Sequence, residues 1–219
     1  MRGLAFFSGG KDSVFAVMKA RQNGVPVDCL LFNTHEFPSP NVHEINSGLV
    51  KAMADLIGLP LQVLHLEPGK EHALLADLFS ELDIGVVTVG NINVKDQLEW
   101  YEQLCDETGA ALYAPLWVGA GGSSLPTLMD QIASGVNAVI CSIKQPVLPA
   151  EFLGRVIDPR LAGDLANLID PCGEGGEYHT LVLDAPIMSG RLVIDEYSTI
   201  ESGDRLMLAV EKFMVEAKK

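Results

Sequence analysis

The sequence predicts an α/β fold: a five-stranded parallel sheet with helices on both faces, followed by a smaller C-terminal α+β lobe. Three observations predict it. Up to Gln145, short apolar runs alternate with segments of helical period, the pattern of strands joined by crossover helices. Beyond it, Pro146, Pro149, Pro159 and Pro171 break the chain into short pieces. With 219 residues, 48% of them hydrophobic, the chain suits one large packed domain carrying a lobe, divided here as 1–145 and 146–219.

The expected parallel strands are 3–7, 27–33, 61–66, 85–90 and 137–142, each a short apolar run. Between them, Ile45, Leu49, Met53, Leu56 and Ile57 recur at helical spacing, as do Leu74, Leu75, Leu78, Phe79 and Leu82. Further helices are expected over Val14–Arg21, over Lys95–Thr108 ahead of Gly109, and over Leu125–Ser134 ahead of Gly135. In the lobe, strands are expected at Thr180–Ala185, Arg191–Glu196 and Arg205–Phe213.

Charge and cysteine content exclude several functions. The net charge is −14 and the pI about 4.6, with acidic residues in excess in both parts, so a general nucleic-acid binder is not expected. Cys29, Cys105, Cys141 and Cys172 lie far apart without a C-x-x-C pair, which argues against a structural zinc or thioredoxin-like site. The apolar start ends at Ser8, too early for a signal-peptide core, and no apolar run could span a membrane. A reduced, cytoplasmic protein without a membrane partner is expected.

Ser8-Gly9-Gly10-Lys11-Asp12-Ser13 sits between the first strand and the first helix. A strand turning through two glycines into a helix aims several backbone N–H groups at one point, and the helix dipole adds partial positive charge there. Glycine lets the backbone approach an anion, Lys11 supplies a full charge, and the Ser8 and Ser13 hydroxyls supply further donors. The spacing is not that of a Walker A loop. Asn33 and Thr34 end the second strand, where a parallel sheet meets its ligand.

The second chemical segment is Cys172-Gly173-Glu174-Gly175-Gly176-Glu177-Tyr178-His179-Thr180. Its two glutamates flank a flexible turn, with the chemistry to bind magnesium, ammonium or a cationic substrate, or to act as a base. No metal-ligand set can be picked out. His35 and His43 flank a Pro-rich turn and read as exposed or substrate-facing, with exposure the plainer reading. Cys172 reads as a buried or bystander thiol, and Gly119–Gly122 with Ser123 and Ser124 as a connection, a second anion loop being the other reading.

The SGGKDS hexapeptide resembles the PP-loop of the ATP pyrophosphatase superfamily, a HUP-like fold. That resemblance implies ATP with magnesium, and cleavage between the α- and β-phosphates of a substrate-activating nucleotide. Sulfonucleotide reductases, tRNA-thiolating enzymes and diphthine–ammonia ligases share such loops. C-G-E-G-G-E-Y-x-T downstream is similar to the signature of the diphthine–ammonia ligase family, and Pro115-Leu116-Trp117 and Leu153-Gly154-Arg155 fall in the family's order. The resemblance covers nearly the whole chain.

It implies an ATP-dependent ligase that adenylates a carboxylate and amidates it with ammonia, releasing AMP and pyrophosphate. The implied partners are ATP, ammonium and translation elongation factor 2 bearing diphthine. Lys11, Glu174 and Glu177 become the expected catalytic residues. Nucleotide contacts fall on Ser8, Gly9, Gly10, Lys11, Asp12, Ser13, Asn33, Thr34 and Gly90. Acceptor contacts fall on Asn91, Gln97, Glu174, Gly175, Gly176, Glu177, Tyr178 and Thr180. A PP-loop enzyme of tRNA or sulfur metabolism, or a noncatalytic ATP-binding regulator, are the alternatives.

One stretch departs from the family pattern G-D-I-x-S-x-x-Q-R-x-R-x-E. Gly90, Ile92, Gln97 and Glu102 match it, but Asn91, Val94, Leu98 and Trp100 replace an acid, a serine and two arginines. Exchanging forked cationic donors for apolar side chains predicts altered acceptor recognition at Leu98 and Trp100. His179 also stands where the family commonly has Glu.

Overall fold

A computed structural model describes residues 2–35 and 40–218. In chain order the elements are β1 (Arg2–Phe6), α1 (Lys11–Gln22), β2 (Cys29–His35), α2 (Val42–Ile45), α3 (Ser47–Ile57), β3 (Leu61–Leu66), α4 (Glu71–Leu82) and β4 (Ile84–Thr88). There follow α5 (Lys95–Thr108), β5 (Ala111–Tyr113), α6 (Leu125–Ala133), β6 (Asn137–Lys144), α7 (Pro159–Ala166), β7 (Tyr178–Asp184), β8 (Gly190–Ser202) and β9 (Arg205–Ala217).

These elements form two compact units. The first comprises Met1–Ser8, Asp12–Glu36 and Leu59–Gly122; the second comprises Gly9–Lys11, Phe37–Gly58 and Ser123–Lys219. Both are discontinuous in sequence, whereas the expected division was a single cut at 145/146. Residues 123–145 and the α2–α3 segment lie with the second unit.

In the first unit, five parallel strands run in the order β3-β2-β1-β4-β5. Helices α1, α4 and α5 supply crossovers, as parallel pairing requires. Strand β1 has β2 on one side and β4 on the other, so the order reverses beside it. Ligands of open parallel sheets collect at that switch point, beyond the carboxyl ends of the strands. Leu4, Leu31, Leu66, Leu75, Phe79, Val87 and Leu104 form the core, and α5 ends where Gly109 turns left-handed.

The fifth parallel strand is β5, and the expected strand at 137–142 belongs elsewhere. Three residues are too few to show any periodicity. Strand β6 pairs antiparallel with β7 and β9, but residues 138–143 are buried on both faces, which gives it the continuous apolar run of a parallel strand.

The second unit carries a four-stranded sheet in the order β7-β6-β9-β8. The expected helix through Ile45 and Ile57 is split at Asn46. Its amide donates to Leu208 O (2.8 Å), and its Oδ1 accepts from Val210 N (2.8 Å), which fastens the α2–α3 corner to β9. Helix α3 then buries Leu49, Val50, Met53, Ala54 and Ile57, the anticipated stripe. Helix α7, missed by periodicity, starts from Asp158, whose carboxylate accepts from Leu161 N at 2.7 Å, with Pro159 in its first turn.

Candidate active site

In the first unit, the chain leaves β1 through Phe7 and Ser8, at the switch point. Ser13 Oγ, one turn into α1, accepts from Ser8 N at 3.3 Å and lies 3.4 Å from Ser8 Oγ. Both predicted hydroxyls therefore meet at the same end of the helix. Gly90 is required for packing: a Cβ there would sit 2.9 Å from the Asp12 backbone, so the end of β4 can approach the start of α1 only without a side chain.

Around these strand ends, Asn33 Oδ1, Thr88 Oγ1 and Asn91 Oδ1 are buried with no hydrogen-bond partner. Buried polar atoms are nearly always paired, so three orphans at the carboxyl ends of β2 and β4 mark a place a polar ligand would complete. Asn33 and Asn91 were expected here, while Thr88 was not. Asn91 also donates to Val94 O (3.1 Å), holding the turn into α5, and Thr34 Oγ1 lies 3.1 Å from His65 Nδ1.

In the second unit, the glycine-lysine part of the loop is bound to the acidic segment. Lys11 N donates to Thr180 Oγ1 (3.0 Å), Lys11 Nζ donates to Cys172 O (2.6 Å), and Val182 N donates to Gly9 O (2.9 Å). Gly9 has φ +76°, and a Cβ on it would meet Met53 Cε at 2.8 Å. Lys11 is only 3% exposed, and its ammonium lies 5.1 Å from the Tyr178 ring centre. The Tyr178 hydroxyl is spent on Pro171 O at 2.6 Å, so this residue shapes the site through its ring.

The acidic loop is organised by a residue outside both sequence motifs. Asp170 accepts from Ser124 Oγ (2.9 Å to each oxygen), from Cys172 N (3.0 Å) and from Glu174 N (3.2 Å). Ser124 Oγ in turn accepts from Cys172 N at 3.1 Å. Cys172 therefore acts through its carbonyl, which receives Lys11, while its thiol is buried against Ser124 O. Glu177 folds back over the turn: a Cβ on Gly175 would fall 2.6 Å from Glu177 Oε1, and Oε2 is buried without a hydrogen bond.

His43 is 9% exposed and its ring meets that of His179 edge-on, 5.5 Å between centres, so the exposed reading of His43 is overturned. Burial, then His43, Arg205 and Lys11 as positive neighbours, push His179 down to about 3. It is neutral throughout the physiological range. The folded value lies below the ordinary ~6.5, so the unfolded chain takes up the proton first as pH falls. Stability present above about pH 6.5 is therefore expected to decline from there toward about pH 3. His179→Gln should flatten that decline in urea midpoints measured at pH 7.5 and 5; an unchanged slope would assign it to other groups.

Other expected residues have plainer places. Gln97 is exposed in the first turn of α5. Trp100 packs on the first unit's core, 4.7 Å from the His72 ring and 5.2 Å from Tyr101, which corrects its expected role in acceptor recognition. An apolar residue stands there because the position is packed. Gly119–Gly122 is a tied connection: Val118 N donates to Ile92 O (2.9 Å), and Asn93 Nδ2 donates to Gly122 O (2.9 Å). His35 is half-buried at the end of β2, and the following turn at 36–39 lies outside the described residues.

A parallel sheet of this order, with a Gly-Gly-Lys turn between its first strand and helix, defines a PP-loop nucleotide-binding protein. The diphthamide synthase N-terminal domain matches residues 1–112 and the diphthamide synthase C-terminal domain matches 124–215. The chain belongs to the diphthamide synthase family. Among its relatives, a protein named diphthine–ammonia ligase from Schizosaccharomyces pombe is 28% identical over 96% of this chain, which spans 39% of that protein's length. Proteins of the same name from Danio rerio and Rattus norvegicus are 25% and 27% identical, with 93% of this chain covered in each case, and 90% and 87% of theirs. A solved structure titled a predicted subunit of tRNA methyltransferase, from Methanocaldococcus jannaschii, aligns at TM-score 0.40 and 14% identity, covering 84% of this chain and 99% of that one.

Proposed function

We propose that this chain is an ATP-dependent amide ligase whose acceptor is diphthine on translation elongation factor 2. An acceptor carboxylate oxygen attacks the α-phosphorus of ATP; the bond to the bridging oxygen breaks and its electrons leave with pyrophosphate. Ammonia then attacks the acyl carbon, AMP departs with the C–O electron pair, and a base takes the surplus proton. Activation is needed because a carboxylate repels nucleophiles and lacks a leaving group.

The observation that carries this reading is the bond from Lys11 Nζ to Cys172 O at 2.6 Å. It joins the phosphate-loop lysine to the acidic loop, so the group suited to pyrophosphate and those suited to ammonium belong to one bonded unit. Glu174 and Glu177 hold ammonium and accept its proton. Magnesium belongs to the proposal as a companion of the nucleotide phosphates, whose charge it would neutralise. Among the described residues no cluster of three or more His, Cys, Asp or Glu is placed to cage it.

The sulfur-transfer alternative is less well supported. All four cysteines are buried; burial raises the thiols of Cys29, Cys105 (to about 11) and Cys141 away from reactivity. A cytoplasmic setting is proposed with the ligase reading.

Incubation with ATP, ammonium and diphthine-bearing elongation factor 2 should yield one AMP and one pyrophosphate per amide formed. ADP and phosphate as the only products would overturn the proposal. Replacing both Glu174 and Glu177 by Gln should cut amide formation by roughly 10² to 10⁴. Calorimetry should find the affinity for α,β-methylene-ATP unchanged; a parallel loss would assign the carboxylates to the nucleotide instead.

A further inference from the structure

The second unit gathers a set of buried polar atoms with no hydrogen-bond partner, two of them outside the signature segment. Ser142 Oγ, Arg205 Nη1 and Glu177 Oε2 are each shielded from solvent and make no hydrogen bond. Their positions follow from the sheet register. Ser142 on β6 lies opposite His179 on β7 and Met207 on β9, and Lys144, two residues on, lies opposite Arg205. Residues opposite across a ladder, and residues two apart along a strand, share a face of the sheet. Ser142, His179 and Arg205 are therefore on one face, at the end where Lys144 N donates to Glu177 O at 2.8 Å.

The guanidinium and the carboxylate meet the same turn from adjacent residues. Arg205 Nη2 is 3.4 Å from where a Cβ on Gly176 would be, and the Glu177 carboxylate covers Gly175. Leaving a buried guanidinium nitrogen and a buried carboxylate oxygen both unsatisfied is costly, and they would close on each other if the fold were built only for stability. Two orphans of opposite character held apart instead call for a ligand with an acceptor at one end and a donor at the other.

The geometry points to a reactant-pairing subsite in which Arg205, assisted by Ser142, anchors the acceptor's carboxylate, while Glu177 holds the ammonium that, once deprotonated, attacks the activated acyl carbon. This rests on the amide-ligase reading and adds to it the residue that receives the carboxylate. A contact through Nη1 alone suits the chemistry: one carboxylate oxygen is gripped, and the other stays available for the α-phosphorus. The positive influence of Arg205 on His179 independently puts the guanidinium near that ring.

Two measurements test it. In steady-state assays with diphthine-bearing elongation factor 2, Arg205→Gln should raise the acceptor KM roughly tenfold or more, the scale of one charge-assisted hydrogen bond. The affinity for α,β-methylene-ATP should stay within about twofold, and Arg205→Lys should recover part of the loss. Separately, propionate titrated into the unliganded wild-type protein should perturb the His179 ring resonances in NMR spectra, and this response should vanish in Arg205→Gln and weaken in Ser142→Ala. An unchanged acceptor KM, a propionate response surviving in Arg205→Gln, or nucleotide affinity falling in step with KM would each overturn the subsite. If the wild type amidates nothing while the propionate response still depends on Arg205, the subsite stands and the diphthine reading is what fails.

Discussion

Lys11→Ala is expected to abolish release of AMP and pyrophosphate, with kcat falling roughly 10² to 10³ or more, the loss seen when a preorganised donor to a developing anion is removed. The size follows from the environment. At 3% exposure, Lys11 acts where little water can screen or replace its charge, so its interaction with a departing pyrophosphate is much stronger than at a surface. The bond to Cys172 O fixes the ammonium before substrate arrives, and alanine removes both charge and tether. Arginine should not rescue, because a planar guanidinium on a different stem does not reproduce the point contact of Lys11 Nζ with Cys172 O. Product analysis by chromatography, with the mutant's melting temperature as a folding control, decides it. A folded Lys11→Ala protein retaining more than about a tenth of wild-type turnover would remove Lys11 from the chemistry.

Much of this site is visible in the sequence because its residues are consecutive. SGGKDS and CGEGGEYHT each bring donors, glycines and acids together within nine residues or fewer, and local order carries their chemistry. The parallel sheet is likewise visible through strands long enough to show a run. What stays hidden depends on distance along the chain. Asp170 and Ser124 are 46 residues apart and look like a stray acid and a stray hydroxyl until the bond forms. Arg205 opens an ordinary hairpin strand, and only the β6–β9 register carries it to the face shared with Ser142. Trp100 misleads for the converse reason: a helix residue placed soon after a strand end can face the crevice or the core, and its ring contacts with His72 and Tyr101 decide for the core.

The largest effect on stability is expected at Asp170. Its carboxylate is the shared acceptor for Ser124 Oγ, Cys172 N and Glu174 N, so Asp170→Ala withdraws one acceptor from three donors at once and leaves Cys172 N to Ser124 Oγ. At about 1 to 3 kcal/mol for each donor that loses its acceptor, and less than additive because they share one centre and are only part-buried, the loss should reach about 2 to 4 kcal/mol. Asp170→Asn keeps one oxygen of the same shape for the two backbone donors and should cost about 1 to 2 kcal/mol. The functional consequence goes further than stability. Cys172 O is positioned by this network and receives Lys11 Nζ, and Glu174 starts from the third bond, so loosening Asp170 displaces both Lys11 and Glu174. Urea denaturation of the two variants, followed by turnover at a temperature where both remain folded, separates the effects. Asp170→Ala unfolding within about 0.5 kcal/mol of wild type would mean that the loop keeps its shape without the carboxylate. A folded Asp170→Ala protein with full turnover would show that the loop's shape is not what positions Lys11.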